Sequence, residues 1–210
     1  MTAQNYFVFL VDDDEAVRES VAELLQAKGY AVRAFESAAE FLEKHEPSVA
    51  GCAVIDLSMP EVDGLSLQRA LAELDRERPV IFLSGHGDLA SGVQAMRAGA
   101  VDFLEKPVNL TDLMAAIERA ALREMETRNR AEEQKAIHAR LDRLTRRELE
   151  VLTRVIAGRL NKQIAYELGA GEKTVKVHRS RMMTKMGVHT VADLVRMTEK
   201  VSLSPSAAAM

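Results

Sequence analysis

The sequence predicts an α/β protein, in which a doubly wound, five-stranded parallel sheet is joined by a long helical linker to an all-α, four-helix domain. Five short apolar runs alternate with five segments that have apolar residues at helical spacing over the first ~120 residues. Strands that alternate with helices in this way form parallel sheets with right-handed crossovers. The charge then changes sign: residues 1–125 carry 22 acidic and 11 basic side chains, and residues 126–210 carry 10 and 17. An acidic half and a basic half indicate separate domains, the second suited to a polyanion.

The predicted strands and helices of the first half follow one another at short intervals. Strands are expected at 6–11, 31–35, 51–56, 79–83 and 101–105, in the sheet order 2-1-3-4-5. Helix boundaries come from glycines that end helices and from capping residues that begin them. Gly29 and Gly99 end helices, the pairs Ser37 with Glu40 and Asn109 with Asp112 begin them, and a further helix is expected from about Gly64.

Residues 122–143 form a highly charged segment without glycine or proline. After Leu122, its only sizeable apolar residues are Met125, Ile137 and Leu141, with Leu144 just beyond it. We predict a long, solvated linker helix, with continuity into the preceding helix as an open option. A coiled-coil seam for dimerisation is the alternative, although the heptads are poor.

Residues 144–201 have the pattern of four short helices. Thr145 and Glu148 form a capping box before the first helix, and Asn161 begins the second. The third is expected from Glu172 to Met186, with Val175, His178, Met182 and Met186 facing inward. The fourth carries an apolar stripe, which is either core or a dimer seam, made of Val191, Leu194 and Val195. Two short helices joined by a glycine-containing turn, within a basic unit, are typical of a helix-turn-helix. Residues 202–210 are expected to be a disordered tail.

The sequence contains few features that indicate a cellular compartment. Cys52 is the only cysteine and lies in a predicted buried strand, which favours a packed small side chain and no disulfide. The N-terminus lacks the charged and apolar regions of a signal peptide, and no stretch approaches 18 apolar residues. We therefore expect a cytoplasmic protein with no membrane partner.

Several polar side chains follow the predicted strands directly, and parallel strands bring their carboxyl ends to one edge of the sheet. Three carboxylates in one crevice repel each other unless they are protonated or hold a cation, and hard oxygen ligands suit Mg²⁺. A lysine and a hydroxyl at the same edge would complete a site for placing a phosphoryl group on a carboxylate oxygen. The residues are Asp12, Asp13, Asp56, Lys106 and Ser84.

These motifs resemble two known families. Val11-Asp12-Asp13, Asp56 with the segment 59–64, the segment 84–88 and Lys106-Pro107 look like receiver domains of bacterial two-component response regulators. The segments 144–148, 161–165 and 173–178 look like the LuxR-type DNA-binding domain. The pairing resembles the FixJ group of the NarL/FixJ family. The resemblance implies a receiver domain over 5–121, a linker over 122–143 and a LuxR-type domain over 144–201.

The resemblance implies a role for each residue of the acidic site. Asp56 would accept a phosphoryl group from a phosphohistidine of a sensor histidine kinase. Mg²⁺ would be bound by Asp13, Asp56 and the backbone carbonyl of Ser58, with Asp12 acting mainly through water. Lys106 and Ser84 would contact phosphoryl oxygens, although many relatives carry threonine in place of Ser84. Phe103 would rotate inward as Ser84 moves, and His86 is left outside the catalytic set.

The basic third helix is the predicted DNA reader. A basic charge run is usually a solvated face, but within a helix-turn-helix it suits the phosphates beside a major groove. By family analogy, Lys176, Val177 and Ser180 point toward base edges. The backbone contacts would come from Lys173, Thr174, Arg179 and Arg181, with Lys162 adding to them. Gly171 stands where relatives often place a serine cap, and glycine is tolerated there.

The implied function is a DNA-binding transcriptional response regulator, in which phosphorylation of Asp56 promotes homodimerisation and binding to double-stranded promoter DNA. RNA polymerase is a further candidate partner. The chain is not expected to be an enzyme beyond Mg²⁺-dependent self-phosphorylation from a phosphodonor and slow autodephosphorylation. Three alternatives stay open: a small-substrate phosphatase or phosphotransferase, an adaptor whose basic domain binds protein, and a regulator that binds DNA independently of phosphate.

Overall fold

The computed structural model describes residues 6–74, 78–85 and 89–203. Its contacts divide the chain into two compact units that meet between Arg128 and Asn129, and each is described by itself. His86 and the last seven residues of the predicted tail lie outside the described residues.

The first unit is built on a five-stranded, all-parallel sheet of order β2-β1-β3-β4-β5, which confirms the predicted fold class and strand order. The strands are β1 Phe7–Val11, β2 Ala31–Phe35, β3 Gly51–Asp56, β4 Val80–Ser84 and β5 Asp102–Glu105. β3 and β4 are buried along their whole length because helices cover both faces of the sheet. Alternate residues therefore enter two separate apolar layers: Ala53 and Ile55 enter one, and Cys52 and Val54 enter the other.

Three of the helices between the strands begin at polar caps, which are Asp14, Ser37 and Asp63. The bounds of the helices are α1 Glu15–Ala27, α2 Ala38–Lys44, α3 Gly64–Glu73 and α4 Leu89–Arg97. Asp63, at the start of α3, accepts a hydrogen bond from the Ser66 amide at 2.6 Å. At α2, Ser37 caps as predicted, but the Glu40 carboxylate accepts from the amide of Glu36, so the predicted capping box is only half formed.

Helix α5 runs without interruption over Leu110–Leu141, so the open question of continuity is decided in favour of one helix. The expectation that the charged segment 122–143 is solvated is wrong at two positions, because Glu124 and Ile137 are buried. Leu141, with Leu144 just beyond the helix, packs against the core of the second unit. These apolar side chains are therefore used within the fold, which argues against the coiled-coil seam.

The second unit contains α6 Arg146–Ile156, α7 Asn161–Glu167, α8 Glu172–Met186 and α9 Val191–Glu199. The capping box of Thr145 and Glu148 is present as predicted. Val175, Met182 and Met186 are buried, but His178 is only half-buried, which corrects its inward placement. Leu194 is fully buried, so the interpretation of this stripe as a dimer seam is wrong for that residue, whereas Val191 is half-buried against the same core. No helix among the described residues is long and apolar enough to cross a membrane.

Candidate functional site

Three carboxylates meet at the carboxyl edge of the sheet. Asp12 follows β1, Asp56 ends β3, and Asp13 lies on the exposed side of the same cluster. One carboxylate oxygen from each of the three lies within 4.8 Å of the others, and Asp12 and Asp56 are buried. This confirms that the three acids converge, and their oxygen donors fit the ligand preference of Mg²⁺.

Lys106 joins the cluster from the loop after β5. Its Nζ atom lies 2.7 Å from Oδ2 of Asp12 and 3.2 Å from Oδ1 of Asp56. The Lys106 amide donates to the carbonyl of Ser84 at 2.7 Å, which ties this loop to the end of β4. The structure therefore brings together the lysine and two of the acids that sequence reasoning had assigned to one site.

The pKa shifts in this cluster follow from its burial. Burial raises the pKa of Asp12, and the ion pair with Lys106 offsets that effect only in part. For Lys106, burial disfavours the ammonium, but hydrogen bonds and attraction from Asp12 and Asp56 outweigh it and raise the pKa. The raised pKa of Lys106 favours its cationic form between two carboxylates, and the raised pKa of Asp12 reflects the energetic cost of burying its charged form.

The remaining predicted switch residues lie on β4, which is next to β3, and on β5 beyond it. Ser84 is buried at the last position of β4, one strand away from Asp56. Phe103 is half-buried on β5, directly opposite Phe82 of β4 in the sheet register. A Cβ atom on Gly92 of α4 would lie 3.4 Å from the Phe103 ring, so the aromatic ring packs closely against that helix.

The start of α3 packs very closely against Asp56 at the end of β3. A Cβ atom on Gly64 would lie 2.5 Å from the carbonyl oxygen of Asp56 and 2.9 Å from the ring of Phe82. Only glycine permits this approach without a backbone shift. Ser58, whose carbonyl is expected to bind the metal, is exposed two residues past Asp56 in this loop.

Arg18 is a residue of the site that sequence reasoning missed. Its Nη1 atom donates to the backbone carbonyl of Asp12 at 2.7 Å, which fixes the loop that carries the acids. No signal in the sequence distinguishes Arg18 from a solvated helix residue, because its partner is a backbone atom.

The predicted DNA-reading residues lie along α8 and at the start of α7. Lys162, Lys173, Thr174, Lys176, Val177, Ser180 and Arg181 are exposed, and Arg179 is half-buried. The helix begins at Gly171, which has ordinary extended backbone angles as an N-cap residue. A Cβ atom there would meet only Thr174, at 3.8 Å, so a serine would also fit.

Lys185 belongs to the same basic stretch but has a structural role. Its Nζ atom lies 2.6 Å from the buried carboxylate of Glu148 and 3.0 Å from the backbone oxygen of Arg143. Burial raises the pKa of Glu148, but hydrogen bonds from Lys185 and Thr145 outweigh that effect and hold it below its ordinary value. The ion pair therefore links the end of α8 to the start of α6.

Comparison with known families assigns the two units separately. Residues 8–118 match the response regulator receiver domain, and residues 142–198 match the bacterial regulatory proteins of the luxR family. A receiver domain followed by a LuxR-type domain defines the class of transcriptional response regulators. The acidic cluster lies in the first matched region and α8 in the second.

Relatives of similar length support this assignment over nearly the whole chain. The response regulator protein TmoT of Ectopseudomonas mendocina is 43% identical, covering 96% of this chain and 91% of TmoT. The transcriptional regulatory protein FixJ of Rhizobium meliloti is 42% identical, covering 96% and 99%. The response regulator StyR, known from a low-resolution structure, is 42% identical in sequence to this chain. The two structures match with a TM-score of 0.81, covering 93% of this chain and 99% of the StyR chain. The chain therefore belongs to the FixJ-like response regulators, which join a receiver domain to a LuxR-type DNA-binding domain.

Proposed function

We propose that this protein switches its DNA binding through phosphorylation of Asp56. The observation that carries the proposal is the position of Lys106 between Asp12 and Asp56, at 2.7 and 3.2 Å, with Asp13 in the same cluster. The cluster combines a carboxylate that can accept a phosphoryl group, a cation beside it and further acids that can hold a metal.

The phosphoryl group comes from a phosphohistidine of a sensor histidine kinase. An oxygen of Asp56 attacks phosphorus, and the bond from phosphorus to the donor nitrogen breaks. Lys106 pairs with a phosphoryl oxygen, and Ser84 donates a hydrogen bond to another as it moves toward the new group. Gly85 has no side chain to obstruct the donor. The same site releases the phosphoryl group slowly by hydrolysis, and this self-phosphorylation and autodephosphorylation are the only reactions we assign to the chain.

The residues that would hold Mg²⁺ are Asp13, Asp56 and the backbone carbonyl of Ser58, with Asp12 acting through water. When bound, Mg²⁺ neutralises charge on the phosphoryl oxygens and so favours transfer. Before phosphorylation, Lys106 compensates part of the charge of Asp12 and Asp56. Lys106 can therefore form an ion pair with a phosphoryl oxygen once the group has been transferred to Asp56.

The conformational output begins at Ser84 and Phe103. Movement of Ser84 would open space that the Phe103 ring fills, and this would repack the face built from α4, β5 and α5. We propose that this face forms a homodimer on activation. A bistable switch of this kind needs a bias of only a few kcal/mol.

The second unit would bind DNA when the protein is activated. Lys176, Val177 and Ser180 would face base edges of double-stranded promoter DNA. Backbone phosphates would be contacted by Lys162, Lys173, Thr174, Arg179 and Arg181. A dimer would place two copies of α8 in adjacent half-sites. In this scheme RNA polymerase is a further partner and the compartment is the cytoplasm. The proposed boundaries are 5–121 for the receiver domain, 122–143 for the linker and 144–201 for the LuxR-type domain.

The experiment that tests the proposal is sedimentation of the full chain with Mg²⁺, with and without beryllofluoride, a mimic of the aspartyl phosphate. We expect a shift from monomer to dimer for the native chain and none for Asp56→Asn, which keeps the size of the side chain. Asp13→Asn is the matched control for the metal, and it should require more Mg²⁺ for the same shift.

Either of two outcomes would contradict the proposal. One is a dimer that forms equally well without beryllofluoride, which would make dimerisation constitutive. The other is no shift despite beryllofluoride binding detected by ¹⁹F NMR, which would mean that the receiver face does not dimerise.

A further inference from the structure

A groove of about 610 Å³ runs beside α8 in the second unit. Lys176, Ser180 and Thr184 line it from α8, and His189 lines it from the turn that leads into α9. None of the described residues that line it is acidic. The groove therefore combines basic and hydroxyl side chains with the apolar Met183, Val188 and Val191, next to the predicted DNA-reading helix.

Arg179 enters this groove and is held there by Asn161, the first residue of α7. Its Nη1 atom donates to Oδ1 of Asn161 at 2.8 Å, and both residues are half-buried. An amide oxygen fixes the guanidinium but does not neutralise its charge. By contrast, Lys176 and Lys185 have carboxylate partners in Glu172 and Glu148.

Among the described residues, no carboxylate forms an ion pair with Arg179. A half-buried guanidinium carries five N–H donors in a rigid fork, and only one of them is used by Asn161. A fork of this kind matches the geometry of a phosphate. The groove thus presents a fixed cation that lacks an anion from the described part of the protein.

The position of Arg179 on α8 points to a phosphate and not to a base. With 3.6 residues per turn, Arg179 lies about 160° around the helix axis from Val177, so the two cannot contact the same base edges. The groove that Arg179 enters also reaches Lys176 and Ser180, two of the predicted base contacts, so it borders the base-facing side of the helix. A helix in the major groove has a sugar–phosphate strand on each side of it.

We propose that this groove seats one backbone phosphate of DNA on Arg179, and that Asn161 is the positioning residue that holds the guanidinium toward it. This inference rests on the DNA-binding function proposed above and adds Asn161 to the residues that serve it. Asn161 does not contact DNA in this scheme and acts only through Arg179. Its loss should therefore matter only while Arg179 is present.

The test is fluorescence anisotropy of a labelled DNA duplex of mixed sequence with the full chain, Mg²⁺ and beryllofluoride, over a range of salt concentrations. A phosphate contact is independent of sequence, and each one contributes about 0.9 to the slope of log affinity against log salt. We expect Arg179→Gln to reduce the slope by about 0.9 and the affinity at low salt by about tenfold. Asn161→Ala should also reduce the salt slope and the affinity at low salt. It should have no further effect on either quantity when it is added to Arg179→Gln.

Lys173→Gln is the matched control, because Lys173 is an exposed basic residue of the same helix. Its effect should add to that of Asn161→Ala, since the two residues share no contact. A thermal melt of each variant separates loss of folding from loss of binding, because a purely structural role would lower the melting temperature and leave the salt slope unchanged.

Three results would overturn the inference. They are an unchanged salt slope in Arg179→Gln, native affinity in Asn161→Ala, and full additivity of these two substitutions. In each case a normal salt slope for the native chain would leave the DNA-binding function intact. If the native chain itself shows no salt-dependent binding, the proposed function fails as well, so the two failures are distinguishable.

Discussion

Lys106 and Asp12 form an ion pair of 2.7 Å at the carboxyl edge of the sheet, although Asp12 is completely buried and Lys106 also contacts Asp56. One ammonium thus serves two carboxylates, with a third acid beside them. The single lysine is insufficient to balance the negative charge of the three acids. This imbalance ties the stability of the first unit to pH and to metal.

Asp12→Asn should stabilise the metal-free protein. Burial raises the pKa of Asp12 above its ordinary value, so the native chain holds this proton more tightly than the unfolded chain. The Asp12 contribution therefore favours folding at low pH and is lost as pH rises through the ordinary carboxyl range to the raised value. At pH 7 in EDTA, we expect the variant to gain about 1 kcal/mol in the free energy of unfolding, measured by urea denaturation.

The same variant should weaken the stabilisation by metal. Saturating Mg²⁺ should stabilise the native chain by mass action and the Asp12→Asn chain much less. A variant that is less stable than the native chain in EDTA would show that the pairing with Lys106 outweighs the cost of burying the charge.

Gly64→Ala should damage both the fold and the site. The new methyl group would lie 2.5 Å from the Asp56 carbonyl oxygen, so the start of α3 or the end of β3 must shift. We expect a loss of about 1–3 kcal/mol in unfolding free energy and slower self-phosphorylation from acetyl phosphate.

Gly85→Ala is the matched control, because a Cβ atom there meets no described atom within 4 Å. It should keep native stability and native reaction with small acetyl phosphate, while transfer from the bulkier kinase is slowed. Equal stability of the Gly64 and Gly85 variants would contradict the close approach seen at Gly64.

Glu124→Ala should destabilise the first unit. This carboxylate is 6% exposed, accepts the Gly51 amide at 3.1 Å and binds Nε of Arg128 at 2.7 Å. Arg128 in turn donates to the backbone oxygens of Ser48 and Pro47. Loss of the carboxylate leaves the Gly51 amide buried without its acceptor, and we expect a cost of about 2 kcal/mol in chemical denaturation.

Glu126→Ala provides the comparison for this result, since it removes an exposed carboxylate from the same helix. It should change the unfolding free energy by no more than about 0.5 kcal/mol. Similar effects of the two substitutions would mean that the contact of α5 with Gly51 contributes little.

Glu148→Gln should make the second unit less stable at neutral pH and less sensitive to acid. The pKa of Glu148 is held low, because hydrogen bonds from Lys185 and Thr145 outweigh burial. The charged form therefore stabilises the native state above the ordinary glutamate pKa, and this contribution is lost as pH falls through the lowered value. We expect a loss of about 3 kcal/mol at pH 7, measured by thermal or urea unfolding, since Lys185 loses its charged partner.

The control is Glu150→Gln in the same helix, whose partners Arg146 and Arg147 are largely exposed. It should cost at most about 0.5 kcal/mol. If Glu148→Gln keeps the acid sensitivity of the native chain, the ion pair with Lys185 does not stabilise the unit.

The local sequence determined much of this protein. Hydrophobic runs that end in Asp12, Asp56 and Ser84 predicted the strands and the edge at which the site would form, because parallel strands align their carboxyl ends. The capping box at Thr145 likewise marked the start of α6, since its hydrogen bonds lie within four residues. The assignment of Lys106 to the acidic site was also available from the sequence, through its place after β5.

Only the tertiary structure decided the features that depend on distant partners. Glu124 reads as a solvated helix residue until its carboxylate is seen to bind the Gly51 amide, 73 positions away in the chain. Lys185 reads as one more charge of a basic helix until its ion pair with Glu148 is seen, and Leu194 fits a dimer seam as well as a core. Composition and periodicity report how polar a helix face is, but not what lies against it. Burial and pairing between remote segments arise only when the chain packs, and they determine which charges are structural and which remain available for a ligand.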